Sequence, residues 1–339
     1  MSDLLPLDKL KPFLKAELGI EGPIRDQKTA TGQSNPTFVL ETEHGKFVLR
    51  RKPPGELLKS AHAVEREYRV MKALEGQFPV PKMHLLCEDK SIIGAAFFVM
   101  EYIAGETFDD PAMPASDAQS RRAVYDAMNA GLALLHTLDP AKLGLSDFGR
   151  PGNYFARQLS RWSQQYEASA TDRIADVDWL MIWLADHMPD EDGRATLVHG
   201  DWRIDNLLFD VNDNTLLAVL DWELSTLGHP MADLGAQLMQ WAMPPGDLGR
   251  GLDGVDRTAL GIPSNEAYIA DYAARSGLAD VPDMTFYEAF AFFRMAAILQ
   301  GVKKRSLDGN ASNAKKGLEL GAYVPVLAKK ARQRINAAR

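Results

Sequence analysis

The sequence predicts an α+β protein of two lobes, a small antiparallel sheet followed by a larger and mainly helical part. Three observations support this. A chain of 339 residues exceeds what one hydrophobic core usually fills. Strand-like patterns dominate its first hundred residues, and helical periodicity dominates from Asp117 onward. We place the boundary between residues 101 and 102, so that residues 1–101 form the first lobe and residues 102–339 the second.

The sequence of the first lobe predicts several strands and one helix. Strand patterns cover residues 24–31, 37–41 and 46–51, with a turn at His44 and Gly45 between the last two. After the breaker at residues 53–55, residues 60–75 have helical spacing. Further strand patterns follow at residues 82–87 and 92–102.

Helical patterns then dominate the second lobe. They cover residues 117–138, 153–168 and 176–186, and helices resume near Pro230. Between them, short strand patterns at residues 207–211 and 215–220 flank an Asn-Asp turn at residues 212–214. This arrangement predicts a β-hairpin within an otherwise helical region.

Composition excludes several classes of protein. The chain is 46% hydrophobic and 25% charged, which is typical of a folded globular protein. Its apolar stretches are shorter than the roughly 20 residues that span a bilayer. A formal charge of −8 argues against nucleic-acid binding. The single Cys87 and the lack of a signal-type N-terminus fit a reducing cytoplasm. The oligomeric state is left open.

One segment carries most of the chemical signal. It contains His199-x-Asp201-x-x-x-x-Asn206, and Asp221 follows at the end of a predicted strand. Phosphoryl transfer from ATP needs a carboxylate that orients and deprotonates the attacking hydroxyl, and oxygen ligands that hold Mg²⁺ against the phosphates. Asp201 suits the first task, and Asn206 and Asp221, joined by the predicted hairpin, suit the second. We expect His199 to brace this loop by hydrogen bonds.

Two other interpretations use the same residues. His-Gly-Asp could be an ordinary turn, with Asn206 and Asp221 merely ending strands. Alternatively, His199, Asp201, Asp221 and His229 could form a metallohydrolase centre. No local metal signature such as H-E-x-x-H is present, and the hydrolase hypothesis leaves the first lobe without a task.

The first lobe offers groups for binding a nucleotide. The turn at residues 31–35 could present backbone N–H groups and the Ser34 hydroxyl to phosphates. Arg50, in the third strand, could grip phosphate oxygens. At about 100° per residue, Glu67 falls inside the apolar stripe of the following helix, so it needs a cationic partner, and Arg50 is the natural one. The backbone around Glu101 and Ile103 is expected to face the adenine edge.

Six segments of the sequence carry a resemblance to a known family: GQSNPTF, FVLRRKPPG, EREYRVMKAL, VMEYIAGE, LVHGDWRIDNLLFD and VLDWELSTLGHPMADLG. With these segments, the chain resembles the aminoglycoside phosphotransferase-like kinase family, and most closely the branch with kinase-like domains fused to acyl-CoA dehydrogenases. The resemblance implies a protein-kinase-like bilobal fold that uses ATP and Mg²⁺. It implies Asp201 as catalytic base, Asn206 and Asp221 as metal ligands, and Arg50 with Glu67 as a clamp pair.

The leading functional hypothesis is an ATP-dependent kinase acting on a small-molecule hydroxyl. One candidate acceptor is a hydroxylated acyl-CoA, because Arg157, Arg161, Arg294 and the basic residues 303–305 would suit an anionic substrate. The alternative is a catalytically silent nucleotide-binding module that supports an acyl-CoA dehydrogenase-type partner. Intact Asp201, Asn206 and Asp221 count against that alternative.

Overall fold

The computed structural model describes residues 5–29, 35–53, 63–150, 152–280, 282–310 and 313–338. The chain folds as two compact units. The first comprises Met1–Thr107, Ala141–Leu145 and Asn206–Ser225, and the second Phe108–Pro140, Ser146–Asp205 and Thr226–Arg339. The predicted domain boundary between residues 101 and 102 stays a prediction, because compactness alone does not define a functional domain.

The first unit contains an antiparallel sheet that has five strands among the described residues, in the order β1-β2-β3-β5-β4. Alternation along the second strand buries Phe38 and Leu40 in the core of this unit. Gly45, the first residue of the third strand, has a φ of 112°, which favours glycine. The strands are β1 (Arg25–Lys28), β2 (Thr37–Thr42), β3 (Gly45–Arg51), β4 (Met83–Cys87) and β5 (Phe97–Glu101).

An N-terminal helix, α1 (Leu7–Leu18), was missed by the sequence analysis. Pro12 lies inside it, and an internal proline normally argues against a helix. Burial compensates, since Leu10 and Leu14 enter the core beside the sheet and the Phe13 ring meets Phe97 edge-on at 5.8 Å. Tertiary packing therefore overrides the local signal here.

Two further helices lie in this unit, α2 (Val64–Leu74) and α3 (Lys90–Ile93). The first confirms the predicted helix, whose start at residues 60–62 lies outside the described residues. The second corrects the strand predicted for residues 92–102. The Asp89 side chain accepts from the Ser91 N–H, so it caps α3, and Gly94 ends the helix with a φ of 82°. The strand itself begins only at Phe97.

The predicted hairpin is confirmed as β7 (Leu207–Phe209) and β8 (Leu216–Val219), paired antiparallel. Short 3-10 helices precede and follow it at Ile204–Asn206 and Trp222–Leu224.

Helices make up most of the second unit. The longest, α10, packs against α5, α7, α11 and α12, and the Phe155 ring of α5 contacts Phe290 of α10 at 5.2 Å. The helices are α4 (Ala118–Thr137), α5 (Tyr154–Ser169), α6 (Ala175–Asp186), α7 (Met231–Trp241), α8 (Arg257–Leu260), α9 (Asn265–Ser276), α10 (Thr285–Leu307), α11 (Ala314–Gly321) and α12 (Val324–Ala337).

Two strands of the second unit, β6 (Thr196–Val198) and β9 (Thr226–Gly228), pair antiparallel and were also missed. Three residues are too few for alternation to be recognised. Throughout the described ranges, helices are too short or too polar to span a bilayer. An antiparallel sheet in one unit and helices in the other confirm the predicted α+β class.

Candidate active site

The Arg50 side chain, near the end of β3, is surrounded by acidic groups. Its Nε lies 2.9 Å from Oε2 of Glu67 on α2, and its Nη2 lies 2.7 Å from Oδ1 of Asp221. The same Nη2 is 3.8 Å from Oε2 of Glu223. Arg50 and Glu67 are only 7% and 1% exposed. The ion pair predicted from the apolar stripe is therefore confirmed.

Three carboxylates around one guanidinium leave an excess of negative charge. Burial, together with repulsion from Asp221 and Glu223, raises the pKa of Glu67 to about 7 against the attraction of Arg50. Burial opposes the charge on Arg50, but the three acids outweigh burial and raise its pKa. The Arg50 Nε and the Glu67 oxygen lie close together without forming an aligned hydrogen bond. The cluster is therefore charged, and two of its buried polar atoms lack a hydrogen-bond partner among the described residues.

Asp221 adopts a left-handed backbone conformation, with φ of 62° and ψ of 63°. A residue with a Cβ pays a conformational cost there, and such strain is often found at functional sites. The Asn206 carbonyl accepts from the Leu220 N–H at 2.9 Å, so Asn206 and Asp221 lie at the same end of the hairpin. Carboxylate and amide oxygens suit Mg²⁺, and the negative excess would be balanced by a cation. The residues present therefore fit magnesium.

Asn35 also belongs to this cluster, a contact that the sequence analysis missed. It is fully buried, and its Nδ2 donates to Glu223 Oε2 at 3.3 Å. Its Oδ1 has no hydrogen-bond partner among the residues that the structure describes. The available signal was an asparagine before Pro36 in a turn, which indicates a structured loop but not its distant partner.

Three further residues are predicted to bind the nucleotide, namely Ser34, Glu101 and Ile103. Ser34 lies outside the described residues. Glu101 ends β5, where its N–H donates to the Lys82 carbonyl at 2.9 Å and its carboxylate accepts from the Lys82 N–H at 3.2 Å. In the described part of the chain, neither main-chain group of Ile103 takes part in a hydrogen bond. The roles of all three stay predictions.

In the second unit, Asp201 lies in a loop fixed by hydrogen bonds. The Asp201 N–H donates to Nδ1 of the fully buried His199 at 3.2 Å, which confirms His199 as a brace. The His199 and Gly200 N–H groups donate to the two oxygens of Asp233, at 2.7 and 2.8 Å. Asp233, which lies on another element of the chain, therefore fixes the main chain of this loop.

Asp233 lies in the first turn of α7 and is completely buried. Burial alone would raise its pKa, but contacts with His136, His199 and Gly200 outweigh burial and lower it. The sequence analysis assigned Asp233 no role. Its position on the face that α7 buries was the available signal, since a buried carboxylate needs partners.

A second charged network lies beside Asp201. Arg203 Nε is 3.5 Å from Asp201 Oδ1, and its Nη2 is 3.0 Å from Asp205 Oδ2. Arg250 Nη1 also reaches that Asp205 oxygen, at 2.8 Å. Burial raises the pKa of Asp205 despite the two arginines. Asp201 therefore lies among charges that limit its orientations.

The metallohydrolase alternative gains no support from His229. Its Nε2 lies 3.1 Å from Asp192, and its Nδ1 accepts from the Met231 N–H at 3.2 Å, so both ring nitrogens are occupied. Among the residues with described positions, no group of three or more His, Cys, Asp or Glu side chains is arranged to hold a metal.

Residues 27–289 match the phosphotransferase enzyme family. The chain is 46% identical over 314 residues to acyl-CoA dehydrogenase family member 10 of Mus musculus, covering 91% of this chain and 29% of that protein. It is 42% identical over 325 residues to acyl-CoA dehydrogenase family member 11 of Homo sapiens, covering 92% and 42%. The chain thus spans less than half the length of these curated relatives.

Two solved structures are similar to this chain. A crystal structure from Ralstonia eutropha JMP134, provisionally named an aminoglycoside phosphotransferase, has a TM-score of 0.88 at 44% identity, covering 98% of this chain and 99% of that chain. A mutant of aminoglycoside phosphotransferase APH(4)-Ia with ADP and hygromycin B has a TM-score of 0.62 at 14% identity, covering 96% and 98%, which shows the fold alone. The predicted protein-kinase-like fold is confirmed, and the chain belongs to the phosphotransferase enzyme family, in the branch shared with acyl-CoA dehydrogenase family members 10 and 11.

Proposed function

We propose that this chain transfers the γ-phosphate of ATP to a hydroxyl group of a small molecule, with Mg²⁺ as its metal. The observation that carries the proposal is the buried Arg50, oriented by Glu67 and Asp221 at 2.9 and 2.7 Å. A guanidinium held in this way offers directed N–H donors to phosphate oxygens at little further entropic cost.

The remaining groups of the first unit have complementary roles in this proposal. Asn206 and Asp221 would hold Mg²⁺, which supplies charge neutralisation to the phosphates when bound. Ser34 would donate its hydroxyl to a phosphate oxygen. The main chain at Glu101 and Ile103 would bond the adenine edge. This is supported by the N–H and carbonyl of Ile103, which bond to no residue that the structure describes.

Asp201 is the proposed catalytic base. The acceptor oxygen forms a bond to the γ-phosphorus, the bond from that phosphorus to the β–γ bridging oxygen breaks, and the hydroxyl proton moves to the Asp201 carboxylate. The products are ADP and a phosphate ester. Asp201 is held for this task by its N–H bond to His199 and by the nearby Arg203.

We propose a hydroxyacyl-CoA as the acceptor. The support is the identity of 46% and 42% with proteins named acyl-CoA dehydrogenases, of which this chain covers only 29% and 42%. A kinase-like domain joined to a dehydrogenase would most simply act on the same class of thioester. The relatives also favour a second candidate, a silent nucleotide-binding module serving a dehydrogenase-type partner.

A labelling experiment separates these two functions. The protein is incubated with Mg²⁺, γ-labelled ATP and a panel of hydroxyacyl-CoAs, free hydroxy acids, sugars and amino alcohols. We expect label to enter at least one hydroxyl acceptor. Asp201→Asn should reduce that transfer by about 10²- to 10⁴-fold, because the carboxylate base is lost. Asp213→Asn, in an exposed turn, is the matched control and should retain full activity.

Nucleotide binding is measured separately by thermal unfolding. Mg-ATP at ~100 times its dissociation constant should stabilise both wild type and Asp201→Asn by about 2.7 kcal/mol. Unchanged unfolding with both Mg-ATP and Mg-GTP would exclude the kinase and the silent module together. Stabilisation without any transfer would favour the silent module, and full turnover in Asp201→Asn would contradict the base assignment.

A further inference from the structure

Two arginines flank one tryptophan in the second unit. The guanidinium carbons of Arg161 on α5 and Arg294 on α10 lie 5.3 and 5.8 Å from the centre of the Trp162 ring. Trp162 is 9% exposed and donates from Nε1 to Gln158 Oε1 at 3.1 Å, so the ring is fixed. We call Arg161 and Arg294 the arginine pair. Each can stack on the indole while its N–H groups point elsewhere.

The positive charge of the arginine pair is not balanced by the protein. Within the described ranges of the chain, neither Arg161 nor Arg294 forms an ion pair with a carboxylate. Arg332 provides a contrast, because it stacks on Trp179 at 4.9 Å and also pairs with Asp176 at 2.8 Å. The same side-chain arrangement therefore exists elsewhere with its counter-ion present.

Two of the other basic residues considered for an anionic substrate are neutralised by carboxylates. Lys303 pairs with Asp172 at 3.1 Å, and Lys304 pairs with Asp308 at 2.6 Å. These contacts make residues 303 and 304 part of the solvated charged surface.

The arginine pair is connected to the loop that carries Asp201. Arg294 Nη2 donates to the carbonyl of Gly200 at 3.0 Å, and Gly200 directly precedes Asp201. Burial raises the pKa of Tyr154 at the start of α5, and Arg294, Arg157 and Arg161 oppose this increase. A ligand group bound by the arginine pair would therefore lie close to the catalytic loop.

We propose that Arg161 and Arg294 bind an anionic group of the phosphoryl acceptor, so that the acceptor is a hydroxylated molecule carrying a phosphate or a carboxylate. This inference rests on the proposed function and assigns two residues to its acceptor site. Guanidinium groups bind both anions by charge-assisted hydrogen bonds. A hydroxyacyl-CoA would supply phosphates and a free hydroxy acid a carboxylate, whereas a cationic aminoglycoside would be repelled.

Three acceptors with the same hydroxyacyl chain distinguish the sources of the anion. They are the CoA thioester, the free hydroxy acid and the neutral N-acetylcysteamine thioester. Arg161→Gln and Arg294→Gln should each raise KM about tenfold for the anionic acceptor that binds best, which corresponds to about 1.4 kcal/mol per variant. KM for the neutral thioester should stay unchanged. An equal rise for charged and neutral acceptors would overturn the proposal.

Two controls address a purely structural effect. Arg332→Gln removes an arginine that is stacked in the same way but ion-paired, and it should leave every KM unchanged. Arg294→Gln also removes the bond to Gly200, so a fall in kcat with that variant alone would reflect the loop. Arg161→Gln touches no loop atom, and an unchanged KM for every anionic acceptor in that variant would contradict the pair as a binding site.

Direct binding separates failure of this inference from failure of the kinase proposal. Calorimetry with coenzyme A and with uncharged pantetheine needs no turnover. Binding of coenzyme A that weakens about tenfold in Arg161→Gln, with pantetheine unaffected, supports the site even if no phosphate is ever transferred. Intact transfer with coenzyme A affinity unchanged in both variants contradicts the site while leaving the kinase proposal in place.

Discussion

Glu67 in the first unit and Asp233 in the second are equally buried acids that differ in their hydrogen-bond partners. Each is at most 1% exposed. Asp233 accepts the N–H groups of His199 and Gly200 at 2.7 and 2.8 Å, and it faces Nε2 of His136 at 3.2 Å. Glu67 accepts a backbone hydrogen bond from Trp222, and its one close cation is Arg50, whose Nε–H does not point at the Glu67 Oε2 atom.

Burial raises the pKa of both acids, and their partners decide whether this effect is overcome. Hydrogen bonds lower the pKa of Asp233 although burial opposes this, whereas burial and two neighbouring carboxylates raise the pKa of Glu67 to about 7. Asp233 is therefore a satisfied structural acid. In the cluster of Glu67, Asp221 and Glu223, three acids surround one arginine, so the acids repel one another.

The strongest test of this comparison is Asp233→Asn. The amide replaces one acceptor oxygen by a donor that faces an N–H group or His136, so buried donors lose their partner. We expect a loss of about 3 kcal/mol in the free energy of unfolding, measured by urea titration.

Asp117→Asn is the control for Asp233→Asn. Asp117 accepts from the Ser120 N–H at 2.7 Å as the N-cap of α4, where asparagine caps as well as aspartate. The free energy of unfolding of the Asp117→Asn variant should therefore equal that of wild type. A loss for Asp233→Asn as small as that of the control would remove the distinction between the two buried acids.

The two acids also differ in how far sequence could predict them. Glu67 follows from helix geometry, because an acid within an apolar stripe requires a cation and a strand with an available arginine precedes it. The partners of Asp233 are main-chain N–H groups more than thirty residues away, at a loop whose course depends on tertiary structure. Local spacing holds no information about such a contact.

The same limit applies to the fold. Alternation and apolar stripes predicted the hairpin of β7 and β8 and the helix α2, because each is a local pattern. The helix α1 was missed because Pro12 argued against it while its stability comes from burial beside the sheet. The strands β6 and β9 are three residues each, so only their mutual pairing defines them.

A smaller effect is expected from Glu67→Gln, and it depends on pH. Glu67 has a folded pKa of about 7 against 4.5 in the unfolded chain. A raised acid pKa means that the folded state retains a proton which the unfolded state has lost, so wild type loses stability as pH rises from about 4.5 to about 7. Glutamine cannot titrate. The stability of wild type relative to the variant should therefore fall by on the order of 2 kcal/mol across this window.

Glu41→Gln is the control for this pH series. Lys46, at 2.7 Å, holds the pKa of Glu41 below its usual value, so its contribution is constant between pH 5 and pH 7. Mg-ATP should flatten the slope that Glu67 causes, because cations near Asp221 and Glu223 remove the repulsion that raises its pKa. If the free energy of unfolding changes equally with pH in wild type and in Glu67→Gln, the pKa of Glu67 is not raised and this prediction is wrong.

The smallest effect tests whether polar groups around Glu223 are truly unsatisfied. Asn35→Ala removes one long hydrogen bond of 3.3 Å, and it also removes the buried Oδ1 that has no partner among the described residues. The two consequences partly cancel, so we expect a loss below about 1 kcal/mol in the free energy of unfolding.

Asn129→Ala is the matched comparison, because this equally buried asparagine uses both ends of its amide. Its Nδ2 donates to the Tyr268 carbonyl and its Oδ1 accepts from Arg275, both at 2.8 Å. Truncation leaves two partners unpaired, so we expect a loss of about 2 kcal/mol. Equal losses at the two positions would mean that Asn35 is as well satisfied as Asn129. The Asn35 Oδ1 atom beside Glu223 would then have a hydrogen-bond donor that stabilises the folded protein.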